Sequence, residues 1–124
     1  MFLRNEKSAL EAMQRLERSG EQIATTSINI HELYTGAFFS KNPAKKINDI
    51  LTLMEIIEVL DFDKVSAKHS GLIMSDLKQR KIVVDESDWL GDVLTAAVAK
   101  KFDATIVTND NDFANIRGIK IERW

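Results

Sequence analysis

Residues 91–113 read "GDVLTAAVAKKFDATIVTNDNDF". An Ala-rich apolar segment spans Trp89 to Phe102, and "ATIVT" follows at 104–108 before the chain turns polar at Asp110 and Asp112. The first segment is apolar on most of its circumference, which predicts a helix buried on most sides. "ATIVT" is short and continuously apolar, the pattern of a strand covered on both faces of a parallel sheet. "DNDFANI" predicts a short helix and "GIKIERW" a last strand running to Trp124.

The same alternation extends upstream. Residues 6–19 place Leu10, Met13 and Leu16 at helical spacing, and Gly20 closes that helix. "QIATTSI" predicts a strand at about 22–26. Ser27 or Asn29 would cap the next helix, "NIHELYTGAFFS". Another helix runs from Pro43 to about Met54, a strand covers 56–60, and a long helix spans Asp63 to Arg80. "KIVVDESD" reads either as a short strand or as a loop. Strands alternating with helices predict one α/β domain over residues 1–124, three-layered α/β/α around a mainly parallel sheet. In such sheets, sites gather at the carboxyl ends of the strands.

The totals bound the function. The chain has 124 residues, 44% of them hydrophobic, with a net charge of -2, so global charge does not point to nucleic acid. Lys45–Lys46, Arg80–Lys81 and Lys100–Lys101 read as solvated helix faces. No Cys is present, which excludes disulfides and thiolate metal sites. "MFLRNEKSAL" is too polar for a signal peptide, and no apolar run suits a membrane span, so a soluble cytoplasmic protein is expected. His31 and His69 fall in no metal-binding spacing, and Phe38 and Phe113 read as core. No phosphate-cradling glycine loop or nucleophile elbow occurs.

Carboxylates carry the remaining signal. Asp110 either caps the short helix or lines a site at the strand's end, and Asp112 is then a first-turn acid or a further ligand. Asp92 lies among apolar neighbours, where a carboxylate is costly, unless it serves only the helix dipole. Glu32 shares its helix face with Ile28 and Phe39, and needs either solvent or a partner. Converging at one end of the sheet, these acids would repel one another, and a divalent cation relieves that. Hard oxygen ligands without Cys or a convincing His suit Mg²⁺ or Mn²⁺, whose chemistry is phosphodiester hydrolysis.

"ATTSINIHELYTGA" with Glu32, and "GDVLTAAVAKKFDATIVTNDNDFANIRGIKIERW" with Asp92 and Asp110, resemble the PIN domain, in particular the VapC-like ribonuclease toxins. The resemblance spans about residue 6 to Trp124. It implies that Glu32, Asp92 and Asp110 are catalytic and bind Mg²⁺ or Mn²⁺, with Asp112 a less strict ligand and Thr108 the supporting hydroxyl residue. It also implies an RNA substrate, a homodimer and a small antitoxin protein that enters the active-site groove. One element departs from the pattern. The family opens with a central strand ending in an Asp, whereas "MFLRNEK" reads as the region after that strand and the first Asp is Asp49. The first central strand is therefore expected to be absent. Either the start lies at an internal Met, or the form is shortened and closes the gap another way; the intact acidic motifs favour the former.

Two functions follow from the sequence. One is a metal-dependent endoribonuclease of the toxin–antitoxin kind. The other is a catalytically impaired PIN scaffold acting as a protein-binding module. A phospho-acceptor receiver domain would need paired acids after its first strand and a Lys after its last, and neither arrangement occurs.

Overall fold

The computed structural model describes Phe2, Leu3, Arg15, Arg18, Gly20 and residues 23–123. Strand β1 is Phe2–Leu3, and β2 is Ala24–Thr26. Helix α1 (Ser27–Phe39) follows β2, α2 (Pro43–Ile56) leads into β3 (Glu58–Leu60), and α3 spans Lys64–Gln79. A 3-10 turn at Glu86–Asp88 precedes α4 (Leu90–Lys101) and β4 (Thr105–Val107). A second 3-10 segment, Asn111–Asn115, leads to β5 (Lys120–Glu122). Of the helix expected at 6–19, only Arg15 and Arg18 fall within the described residues, and both are helical. Gln22 and Trp124, the outer ends of two expected strands, lie outside them.

The five strands pair in parallel in the order β3-β2-β1-β4-β5. This corrects the expected absence of the first central strand. Phe2 pairs with Ala24 on one side and Ile106 on the other, and Leu3 pairs with Val107. The sequence reading failed because two apolar residues before a charged run carry no strand signal. Their place is set from outside, by backbone groups of β2 and β4 that would cost about 1–3 kcal/mol each if buried unpaired. The acid expected at the end of that strand is not supplied, since Arg4 and Asn5 follow Leu3.

Local chemistry explains most boundaries. The cap of α1 is Thr26, not Ser27 or Asn29: its Oγ1 accepts the Asn29 N–H at 3.1 Å. Asn42 caps α2 with Pro43 at its first position, where a missing N–H is harmless. Asp63 caps α3 by accepting the Ser66 N–H at 2.9 Å. The ambiguous stretch 81–88 resolves as a loop and 3-10 turn rather than a strand. It opens on Lys81, whose φ of 61° breaks any extended run.

The core lies where α3 and α4 pack on the sheet. Ala96, Ala97, Val98 and Ala99 are all fully buried, so α4 is covered nearly all round, as its composition predicts. Ile73 and Leu77 of α3, Ile106 of β4, and Phe113 belong to the same cluster. Phe38 departs from expectation: it is 65% exposed, stacked on Tyr34 at 6.2 Å rather than packed in the core. Among the described residues no helix is long and apolar enough to cross a membrane.

Candidate metal centre

The topology decides where the acids meet. From β1 the chain builds outward through β2 to β3, and later through β4 to β5, so the direction reverses between β1 and β4. That switch point opens a crevice at the carboxyl edge of the sheet. Helix α1 starts there directly after β2, and the Asn109–Asp112 loop starts there directly after β4. Helix α4 leads back to β4 in the same parallel sheet, so its N-terminal turn lies at that edge too, with Asp92 in it.

Three carboxylates converge. Asp92, Asp110 and Asp112 each offer an oxygen, and these oxygens all lie within 4.8 Å of one another. Asp92 is only 7% exposed, as its apolar neighbours foretell, whereas Asp110 is half-buried and Asp112 is exposed. The set contains oxygen donors only, so its chemistry fits a hard divalent cation rather than zinc.

The loop is held from within. Thr108 is buried, and its Oγ1 accepts the Asp110 N–H at 3.0 Å. Asp110 Oδ1 accepts the Asp112 N–H at 2.9 Å, so Asp110 is the cap of the short 3-10 segment and Asp112 is its first-turn acid. Phe113 is fully buried one position later and anchors the turn in the core.

Glu32 is placed differently. It is exposed on α1 and lies outside the three-acid group, yet its carboxylate leans on the first turn of α4. A Cβ built on Gly91 would sit 2.7 Å from Glu32 Oε1. Of the apolar neighbours expected on the Glu32 face, Phe39 is 88% exposed and Ile28 is half-buried.

Two residues escape the sequence reading. Arg123, beyond β5, donates from Nη2 to Asn111 Oδ1 at 2.7 Å and from Nη1 to the Asn109 carbonyl at 3.4 Å. It thereby ties the acid loop to the end of the sheet, assisted by the Thr108 N–H donating to the Glu122 carbonyl at 2.9 Å. Gly91 is the other, being conspicuous only once Glu32 is seen against it. No spacing rule links Arg123 to residues 12 and 14 positions earlier.

Residues 1–119 match the family model of the PIN domain. The chain belongs to the PIN domain family. The chain spans most of the length of the relatives it matches. It is 27% identical over 116 residues to "Ribonuclease VapC2" of Haemophilus influenzae, covering 93% of this chain and 85% of that one. It is 30% identical over 112 residues to "tRNA(fMet)-specific endonuclease VapC" of Salmonella typhimurium, covering 90% and 82%. Among solved structures, the DNA-bound VapBC crystal structure from Salmonella typhimurium aligns with a TM-score of 0.84 at 26% identity, covering 99% of this chain and 97% of that one. The PIN-like parallel α/β architecture expected from the sequence is thus found.

Proposed function

We propose that this protein is a metal-dependent endoribonuclease, the toxin component of a toxin–antitoxin pair. The observation that carries the reading is the convergence of Asp92, Asp110 and Asp112 at the switch point of a PIN sheet. Support comes from relatives named as ribonucleases and from similarity to a structure described as a VapBC assembly.

Glu32, Asp92 and Asp110 are the proposed catalytic ligands of Mg²⁺ or Mn²⁺, with Asp112 completing the donor set and Thr108 supporting the loop. When bound, such an ion supplies Lewis-acid activation of water and neutralises charge at a scissile phosphate. Asp92 brings a buried, and therefore strongly interacting, charge. Asp110 brings an oxygen whose partner atom is already oriented by the Asp112 N–H. Thr108 fixes the backbone that carries Asp110. Burial of Asp92 and the hydrogen bonds of the Thr108–Asp112 loop hold part of the set in advance, so reorganisation on binding falls mainly to the exposed Asp112 and Glu32 side chains. RNA is the proposed substrate, an antitoxin protein and a second copy of the chain are the proposed partners, and the cytoplasm is the proposed location.

A specific observation favours a second reading. The central strand is followed by Arg4 and Asn5 where the resemblance calls for an Asp, so one acid of the family set is not matched. A catalytically impaired scaffold that binds a partner protein would tolerate this. One experiment separates the two. The chain is incubated with single-stranded RNA in Mn²⁺, beside a metal-free sample and Asp92→Asn. Metal-dependent cleavage lost in the variant supports the nuclease. A folded chain that leaves RNA intact supports the scaffold.

A further inference from the structure

Gly91 stands in the first turn of α4 with ordinary helical backbone, since the positive-φ glycines among the described residues are Gly20 and Gly118. Its conformation therefore does not demand glycine, and glycine is a poorer helix former than alanine. What it provides is space. The atoms a Cβ would meet within 4 Å are Glu32 Oε1 at 2.7 Å and Glu32 Cδ at 4.0 Å. Real Cβ atoms essentially never approach another heavy atom below 3.0 Å, so any side chain at 91 must displace the Glu32 carboxylate.

We infer that Gly91 is a positioning residue, whose missing side chain lets the Glu32 carboxylate settle over α4 beside Asp92. The inference rests on the reading of Glu32 as a ligand given above. Two features set it apart from mere helix packing. The obstructed atom is the end of a flexible, exposed side chain, so the fold can accommodate a methyl by moving Glu32 alone. Gly91 also directly precedes Asp92, so the carboxylate it admits lies against the same helix turn that carries one acid of the cluster.

The test is a cycle of four purified proteins: the unaltered chain, Gly91→Ala, Glu32→Gln and the double variant. Mn²⁺ affinity is read by titration calorimetry and metal-free Tm by circular dichroism. Gly91→Ala should keep or raise the metal-free Tm while weakening Mn²⁺ binding roughly tenfold, the scale expected for displaced supporting groups around a metal. In the Glu32→Gln background the same change should cost nothing further, because the group it acts through is already lost. An unchanged affinity in Gly91→Ala, a fall in its metal-free Tm, or losses that add in the double variant would overturn the inference. Asp92→Asn is run alongside. If it leaves Mn²⁺ binding intact, the metal-centre reading falls and this inference with it. If it weakens binding while Gly91→Ala does not, only the role of Gly91 is lost.

Discussion

The Asp112 N–H donates to Asp110 Oδ1 at 2.9 Å, so one carboxylate of the acidic cluster also starts the helical turn that carries another. The placing of the acids and local folding are joined in a single hydrogen bond. Asparagine caps as well as aspartate, so Asp110→Asn removes the charge and keeps the cap. We expect it to weaken Mn²⁺ binding more than Asp112→Asn does, with little change in Tm. Calorimetric titration of the two variants checks the order, and the reverse order would move the ligand assignment to Asp112.

Asp92 is a buried acid with two others close by, so gathering three negative charges there without a cation carries repulsion. Asp92→Asn should therefore hold or raise the metal-free Tm. The unaltered protein should gain Tm on adding Mn²⁺, because a ligand bound by the folded state stabilises it, and the variant should not. Thermal melts with and without Mn²⁺ decide this. A metal-dependent rise that survives in the variant counts against the proposed centre.

Arg123 holds the acid loop through Asn111 and the Asn109 carbonyl, at the exposed surface. Arg123→Ala should cost little global stability but weaken Mn²⁺ binding roughly tenfold, as loss of a supporting contact around a metal does. Arg123→Lys should recover only part, since lysine cannot reach both oxygens with one planar fork. Full recovery would show that charge alone matters.

A pH dependence comes from the other side of the molecule. Hydrogen bonding from the Lys101 ammonium, and next from the Ser66 N–H, lowers the Asp63 pKa from 3.8 to about 2. A depressed acid stabilises the fold above its unfolded value and loses that contribution as pH falls through the folded one. The Asp63 contribution should thus be complete above about pH 4 and fade between there and about pH 2. In Lys101→Met the carboxyl should titrate nearer its ordinary value. NMR titration of the Asp63 carboxyl in both proteins measures the difference.

Phe113 gives a stability control. It is fully buried beside Ile106 and Ile116. Phe113→Ala should cost about 3–5 kcal/mol, whereas Phe39→Ser, at 88% exposure, should be near neutral. Urea unfolding of both checks this.

Phe113 and Phe38 show what a sequence discloses. Phe113 follows a strand and an acid and sits within a short helical turn, and local pattern suffices to bury it. Phe38 lies on α1, whose apolar residues surround the helix instead of forming a stripe, so nothing local says which ones face outward. The acids divide in the same way. Asp92 and Asp110 are legible because each interrupts an apolar run at an element's start. The approach of Glu32 to Gly91 joins residues on two helices, and only the sheet topology brings them together. Strand β1 is the extreme case, having two residues and no pattern of its own, with both neighbours supplying the reason for its place.

That strand also governs the order of assembly. Phe2 finds Ile106 across 104 intervening steps of chain (106 minus 2), whereas β2 and β3 can join early through α1 and α2. Closing so long a loop carries an entropic cost, and the pairing of β1 with β4 has to wait until β4 has been synthesised. Domains begin to fold as the chain leaves the ribosome, N-terminal part first. Asp110 and Asp112 follow the very strand that completes the pairing. A partly synthesised chain therefore has neither a closed sheet nor a gathered set of acids, and any hydrolytic potential stays latent until the last third has emerged.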